Sequence, residues 1–132
     1  MSRPLLKVIA LDFDGTLVES NHIKDQAFET IFSDWPDHLD DMMEWHLVYN
    51  TVDRREKFRY FVEEILKQAN KKELIKKLTD KFSELTQKAI INCPMVNGAQ
   101  AFLDACIDKA SLFLISATPQ EELNIILKER SL

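Results

Sequence analysis

A short apolar run that ends in two aspartates constrains this chain more than any other feature. Residues 5–11 are mostly apolar and too few for a long helix, so they predict a strand buried on both faces, as in a parallel α/β sheet. Asp12 and Asp14 follow at its carboxyl end, where open α/β sheets bind their ligands. In an extended chain, residues two positions apart point to the same side, about 6–7 Å from each other. The two carboxylates are therefore predicted to face one small ligand.

A glycine turn follows the aspartates. Gly15 can adopt a positive φ and bring amide N–H groups close to an anion, and Thr16 adds a hydroxyl. An EF-hand calcium loop is excluded, because it needs Gly at its sixth position and Glu at its twelfth, where this chain has Leu17 and Ile23. An ordinary strand-to-turn junction stays open as an alternative, because Asp and Gly are common turn residues.

A second short apolar run, residues 110–115, predicts another strand, which ends at Ser116. A helix is predicted to follow, with Thr118 and Glu121 forming a capping box and Pro119 at the first helical position. A helix N-terminus beside a hydroxyl favours anion binding.

The sequence Asp12-Phe13-Asp14-Gly15-Thr16-Leu17 resembles, without a break, the first motif of the haloacid dehalogenase (HAD) superfamily of phosphohydrolases, Asp-x-Asp-Gly-Thr-Leu. The resemblance implies that Asp12 is a nucleophile forming an aspartyl-phosphate and that Asp14 is the general acid/base. It also implies that Ser116 stands at the family's second motif and holds the transferring phosphoryl group. The expected phosphate-binding residues are Gly15, Thr16, Ser116 and Ala117.

Magnesium is the cofactor that the resemblance implies. Two carboxylates and a phosphate dianion need a cation in a small site, and Mg²⁺ prefers one or two carboxylates, substrate oxygens and water. By resemblance, Asp12 offers its carboxylate and Asp14 its main-chain carbonyl. The histidines, His22, His38 and His46, have no ligand spacing and are expected to be surface or half-buried structural residues.

Residues 18–95 contain no glycine and carry apolar residues at helical spacing, which predicts about four helices with breaks near 35–37 and 70–72. A helical block after the first motif resembles the cap of phosphoglycolate phosphatases and β-phosphoglucomutases. The expected fold class is α/β: an incomplete Rossmann-like core of two parallel strands, in 1–17 and 96–132, with the helical cap domain inserted between them.

The polar segment 51–57 is predicted to start a cap helix. Arg54 and Lys57 in it are candidates to bind a substrate anion, although charge runs usually form solvated surface.

The family's third and fourth motifs, a Lys or Arg and an acidic pair, have no counterpart after Ser116. Lys128 and Arg130 fall on the predicted last helix and not after a further strand. The chain is therefore interpreted as truncated after the second motif, and its 132 residues are expected to be inactive or nearly so by themselves. An apolar strand edge is expected to be open, which makes self-association through that edge an expectation as well.

Composition narrows the class of protein. The net charge of −5 argues against nucleic-acid binding, which depends on many Lys and Arg residues. Cys93 and Cys106 form no disulfide framework and are expected to be reduced thiols in the cytoplasm. Neither a signal peptide nor a membrane span is recognisable in the sequence.

Together these features predict a Mg²⁺-dependent phosphohydrolase that acts on a small phosphorylated metabolite through an aspartyl-phosphate. Two alternatives stay open. One is a phosphomutase or phosphotransferase on the same scaffold, and the other is a non-catalytic truncated protein that acts by oligomerisation or partner binding.

Overall fold

The structure is a computed structural model that describes residues 7–132, so Leu5 and Leu6 of the predicted first strand lie outside the described part. The elements in chain order are β1 (Val8–Asp12), α1 (Asn21–Phe32), α2 (Pro36–Val48), α3 (Arg54–Tyr60), a π-helical segment (Phe61–Ile65), α4 (Lys72–Asn92), α5 (Ala99–Cys106), β2 (Ser111–Ile115) and α6 (Gln120–Arg130). Both predicted strands are present, and helices fill the segment between them, which confirms the α/β fold class. None of the helices in residues 7–132 combines the length and hydropathy that a membrane crossing requires.

The chain divides into two compact units. The first, called the sheet unit, contains the described residues 7–22 together with 89–132. The second, called the helical unit, contains residues 23–88.

In the sheet unit, β1 and β2 pair in parallel, with a register that runs from Val8 opposite Ser111 to Asp12 opposite Ile115. Alternate side chains of both strands are exposed, among them Phe113 at 56% and Ile115 at 67%. The prediction that the strand is buried on both faces is therefore wrong. Successive residues of a strand point to opposite faces, and within residues 7–132 this two-stranded sheet has only one half-buried face.

The helical unit closes around phenylalanine rings. The α1 residues Phe28 and Phe32 are buried together with Phe58 of α3 and Phe82 of α4. The Phe28 ring lies 4.3 Å from Phe82 and 5.5 Å from Phe58, centroid to centroid. The apolar residues recur three and four positions apart, so each helix turns one stripe toward this shared core.

Local signals explain the helix boundaries of the helical unit. Pro36 opens α2, at the break predicted near 35–37. Asp53 caps α3, since its Oδ1 accepts a hydrogen bond from the Arg55 backbone N–H at 2.7 Å. Before α4, Lys67 and Asn70 have positive φ, near the break predicted at 70–72.

The start of α6 differs from the prediction. The helix begins at Gln120, and Pro119, with φ −53 and ψ 141, is the N-cap, with no side-chain cap hydrogen bond. The predicted capping box of Thr118 and Glu121 is therefore wrong, because the N-cap lies one position later, at Pro119. Extended backbone at Pro119 moves the first helical turn one residue further along the chain, so Thr118 lies outside it.

The end of α4 is joined to α6 by one guanidinium group. Arg130 Nη1 donates hydrogen bonds to the carbonyl oxygens of Ile90 at 2.8 Å, Ile91 at 2.8 Å and Cys93 at 2.7 Å. The last carbonyls of a helix lack intrahelical partners and carry partial negative charge, so a cation stabilises them.

Candidate active site

The two aspartates lie at and just beyond the carboxyl end of β1. Asp12 is its last residue, is exposed, and its Oδ1 accepts a hydrogen bond from the Phe13 backbone N–H at 2.8 Å. Asp14 is half-buried, and its Oδ1 accepts a hydrogen bond from Ser20 Oγ at 2.6 Å. Ser20 is fully buried, so its hydroxyl holds the Asp14 carboxylate in one orientation. No pattern in the sequence singles out Ser20, because serine is common in loops.

The turn after Asp14 is closed by its own backbone. The Gly15 N–H donates to the Val18 carbonyl at 2.8 Å, and the Thr16 N–H donates to the Phe13 carbonyl at 3.2 Å. The two amides expected to approach an anion are thus already hydrogen-bonded inside the turn. Gly15 has φ +73, which favours glycine, and a Cβ there would lie 2.3 Å from Nδ2 of Asn21, so a side chain would also have to displace the Asn21 amide.

Ser116 follows β2 at the same end of the sheet. The register sets Ile115 opposite Asp12, and neighbouring strands lie about 5 Å apart. Ser116 Oγ accepts a hydrogen bond from the Thr118 backbone N–H at 3.1 Å. Ala117, between them, is exposed. The pairing therefore brings the predicted nucleophile, Asp12, and the predicted phosphoryl-holding residue, Ser116, to the same carboxyl end of the sheet.

Arg54 and Lys57 lie in the helical unit. Arg54 Nη1 donates to Ser83 Oγ at 2.8 Å, and its Cζ lies 4.8 Å from the centre of the Phe82 ring. Lys57 is only 2% exposed, and its Nζ lies 2.6 Å from Nδ1 of His46. The general expectation that this charge run forms solvated surface therefore fails for Lys57.

His46 is a residue that the sequence interpretation missed. It was expected at the surface or half-buried, but it is 3% exposed, and its Nε2 lies 2.6 Å from Asp25 Oδ1. Its partners, Asp25 and Lys57, are 21 and 11 residues away in the chain, on other helices, so spacing along the sequence does not predict these contacts.

The donors at the sheet edge suit a hard cation. The Asp12 carboxylate and the Asp14 main-chain carbonyl are oxygen ligands of the kind that Mg²⁺ prefers. Within residues 7–132, no group of three or more His, Cys, Asp or Glu side chains is arranged to hold a metal ion. The described residues therefore suit Mg²⁺ in donor chemistry and supply few of its ligands.

Comparison with known proteins gives a structural match without a sequence match. No protein-family model matches the chain, and no curated protein matches it either. Among solved structures, the chain is similar to a candidate HAD-hydrolase, YfnB of Bacillus subtilis, in an orthorhombic crystal form bound to magnesium. The TM-score is 0.67 at 14% sequence identity, and the match covers 98% of this chain and 61% of that one. This chain thus spans about three fifths of the neighbour's length and has a HAD-like α/β fold with an inserted helical unit.

Proposed function

We propose that this chain carries the phosphoryl-transfer end of a Mg²⁺-dependent phosphohydrolase that acts on a small phosphomonoester through an aspartyl-phosphate. The observation that carries the proposal is the shared carboxyl end of two paired parallel strands, where Asp12 ends β1, Asp14 follows it and Ser116 follows β2. The HAD-like fold supports it, since YfnB, with the same architecture, is a candidate HAD-hydrolase that binds magnesium. We place the reaction in the cytoplasm, which the two free cysteines, Cys93 and Cys106, support.

The proposed chemistry has two steps. The Asp12 carboxylate attacks the substrate phosphorus, an Oδ–P bond forms, and the ester P–O bond breaks while protonated Asp14 gives its proton to the leaving alcohol. Water then attacks the same phosphorus, Asp14 takes the proton from that water, and inorganic phosphate leaves as the Asp12 carboxylate is restored. The hydrogen bond from Ser20 to Asp14 orients the acid/base carboxyl for both steps.

Ser116 has a suitable hydroxyl for the phosphoryl group. Its Oγ already accepts the Thr118 N–H. A serine hydroxyl has one hydrogen to donate. In the proposal, that hydrogen is donated to a phosphoryl oxygen at the end of β2.

Asp12 and the Asp14 carbonyl would hold Mg²⁺, which neutralises phosphoryl charge when bound. We propose that these 132 residues are inactive or nearly so by themselves. The described part offers no third acidic ligand in a cluster, and the Arg130 guanidinium is engaged by carbonyls at the end of α4. The transferring charge therefore lacks stabilisation of a kind worth roughly 3–4 kcal/mol in other enzymes.

The test uses fluoroberyllate, a mimic of a phosphoryl group on a carboxylate, so that it does not depend on fast turnover. With Mg²⁺ present, ¹⁹F NMR of the protein should show a bound fluoroberyllate signal. Asp12→Asn should abolish that signal, whereas Asp41→Asn, a matched change at an exposed aspartate of α2, should keep it. A bound signal of unchanged intensity in Asp12→Asn would remove the nucleophile and with it the proposed reaction.

A second candidate function, association with another copy of the chain, is favoured by the open face of the sheet. Val8, Phe113 and Ile115 are each more than half exposed. Apolar surface of this kind is typical of interaction sites. Sedimentation velocity should show an oligomer that the double variant Phe113→Thr, Ile115→Thr converts to monomer. A wild-type protein that stays monomeric at all concentrations would reject this candidate.

A further inference from the structure

Three ionisable side chains form a continuous hydrogen-bonded chain inside the helical unit. They are Asp25 of α1, His46 of α2 and Lys57 of α3, called here the Asp–His–Lys chain. His46 Nε2 lies 2.6 Å from Asp25 Oδ1, and His46 Nδ1 lies 2.6 Å from Lys57 Nζ. The His46 and Lys57 side chains are buried, whereas the Asp25 side chain is 48% exposed. The Asp–His–Lys chain therefore runs from solvent into the core.

The donors and acceptors fix the protons of this arrangement. A lysine ammonium has three donors and no acceptor, so it donates to His46 Nδ1, which must then be unprotonated. The imidazole hydrogen accordingly lies on Nε2 and is donated to the Asp25 carboxylate. In this state His46 is neutral and every contact pairs a donor with an acceptor.

The surroundings favour neutral groups. The His46 ring lies 4.4 Å from the Phe28 ring, and Lys57 Nζ lies 5.0 Å from the centre of the same ring. The charged groups that face His46 and Lys57 from the neighbouring helix α1 are Asp25 and Lys24. On the side of α4, Phe82 contacts Phe28 and carries the Arg54 guanidinium over its ring.

Burial is the largest influence on both nitrogen groups. It lowers the pKa of His46 below 6.5, which the Asp25 hydrogen bond opposes and the Lys57 charge reinforces. Burial also lowers the pKa of Lys57 to about 8, which the Asp25 charge opposes and the Lys24 charge reinforces. At neutral pH the two groups together carry one positive charge.

We propose that the Asp–His–Lys chain is a pH-responsive device that loosens the helical unit as the solution becomes mildly acidic. When His46 gains a second proton, on Nδ1, that N–H points at the Lys57 ammonium and the hydrogen bond between them is lost. Two cations then face each other beside Phe28, with Asp25, hydrogen-bonded to His46, as the counter-charge. The inference is independent of the chemistry proposed at the sheet edge.

The sign of the effect follows from linkage. The unfolded chain binds the His46 proton near pH 6.5 and the folded chain binds it only at lower pH, so stability is lost as pH falls below 6.5. The loss ends at the depressed pKa, and its steepest slope is about a tenfold rise in the unfolding equilibrium constant per pH unit. Lys57 changes stability only at higher pH: stability rises from about pH 8 to 10.5.

The first experiment measures the pKa of His46 by NMR in the intact protein and two variants, with His38 as the internal reference. Asp25→Asn should lower the pKa of His46 further, because the carboxylate favours the imidazolium. Lys57→Met should raise it, because a neighbouring positive charge is removed while the stem still fills its space. Opposite shifts support the proposal, whereas shifts in the same direction, or a wild-type pKa at or above 6.5, overturn it.

The second experiment measures chemical unfolding at pH 7.5 and pH 5.5 through the fluorescence of Trp35 and Trp45. The wild type and the control His38→Gln should lose more stability between these pH values than His46→Gln, which cannot take the proton. Equal losses in all three overturn the proposal. If His46→Gln does not fold, the wild-type NMR titration decides the matter.

Discussion

The aromatic core of the helical unit and the strand faces of the sheet unit differ in how they bury apolar side chains. In the helical unit the Phe82 ring is 1% exposed and contacts other phenylalanines, whereas in the sheet unit Phe113 is 56% exposed and Ile115 is 67% exposed. Helices that each present one apolar stripe can bury those stripes among themselves. Two strands alone can cover only one of their two faces. The residues proposed for chemistry therefore lie beside the less enclosed of these two apolar surfaces.

The largest stability effect is expected from a comparison of one phenylalanine in each unit. Phe82→Ala leaves a cavity in the aromatic core and should lower the free energy of unfolding by about 3–5 kcal/mol. Phe113→Ala, the same change on the open sheet face, should alter it by less than about 1 kcal/mol. Chemical denaturation measures both. Similar losses in the two variants would mean that the sheet face is as well packed as the helical core.

A smaller effect should come from the guanidinium that joins α4 to α6. Arg130→Met removes three hydrogen bonds from half-buried carbonyls and should cost about 2 kcal/mol of unfolding free energy. Lys128→Met, two residues away and exposed, is the matched control and should change stability little. If both variants lose the same amount, the sheet unit does not depend on this contact.

The smallest effect concerns thiol reactivity within the sheet unit. Burial raises the pKa of Cys93, an effect that the Arg130 charge opposes, so less thiolate is present at pH 8. In a Cys106→Ala background, Cys93 should therefore react with iodoacetamide more slowly in the folded protein than in the denatured protein at pH 8. The rate at Cys93 should still be rising above pH 9. Equal rates at pH 8 would show that the site is open to solvent.

Short apolar runs and a proline correctly predicted the strands and one helix boundary, because these features depend on residues that are close in the sequence. The strand ending at Asp12, the strand ending at Ile115 and the helix break at Pro36 are all present. The capping box at Thr118 failed although it is also local. Pro119 was predicted at the first helical position, but its backbone is extended and it is the N-cap, which the residue types alone do not show.

Contacts between distant residues were not predictable. Arg130 contacts carbonyls 37–40 residues earlier, and His46 contacts Asp25 on another helix, 21 residues earlier. Which polar group meets which depends on how the helices pack, and spacing along the chain does not encode it. At the candidate site, adjacency of the two strand ends follows from parallel pairing, but the hydrogen bond from Ser20 to Asp14 does not.

Gly15 has a consequence for how this chain tolerates change. A methyl group there would collide with the side chain of Asn21, the first residue of α1, before it met either aspartate. A substitution at position 15 would thus force the Asn21 amide to another rotamer, and its lasting cost would come from the positive φ of the backbone.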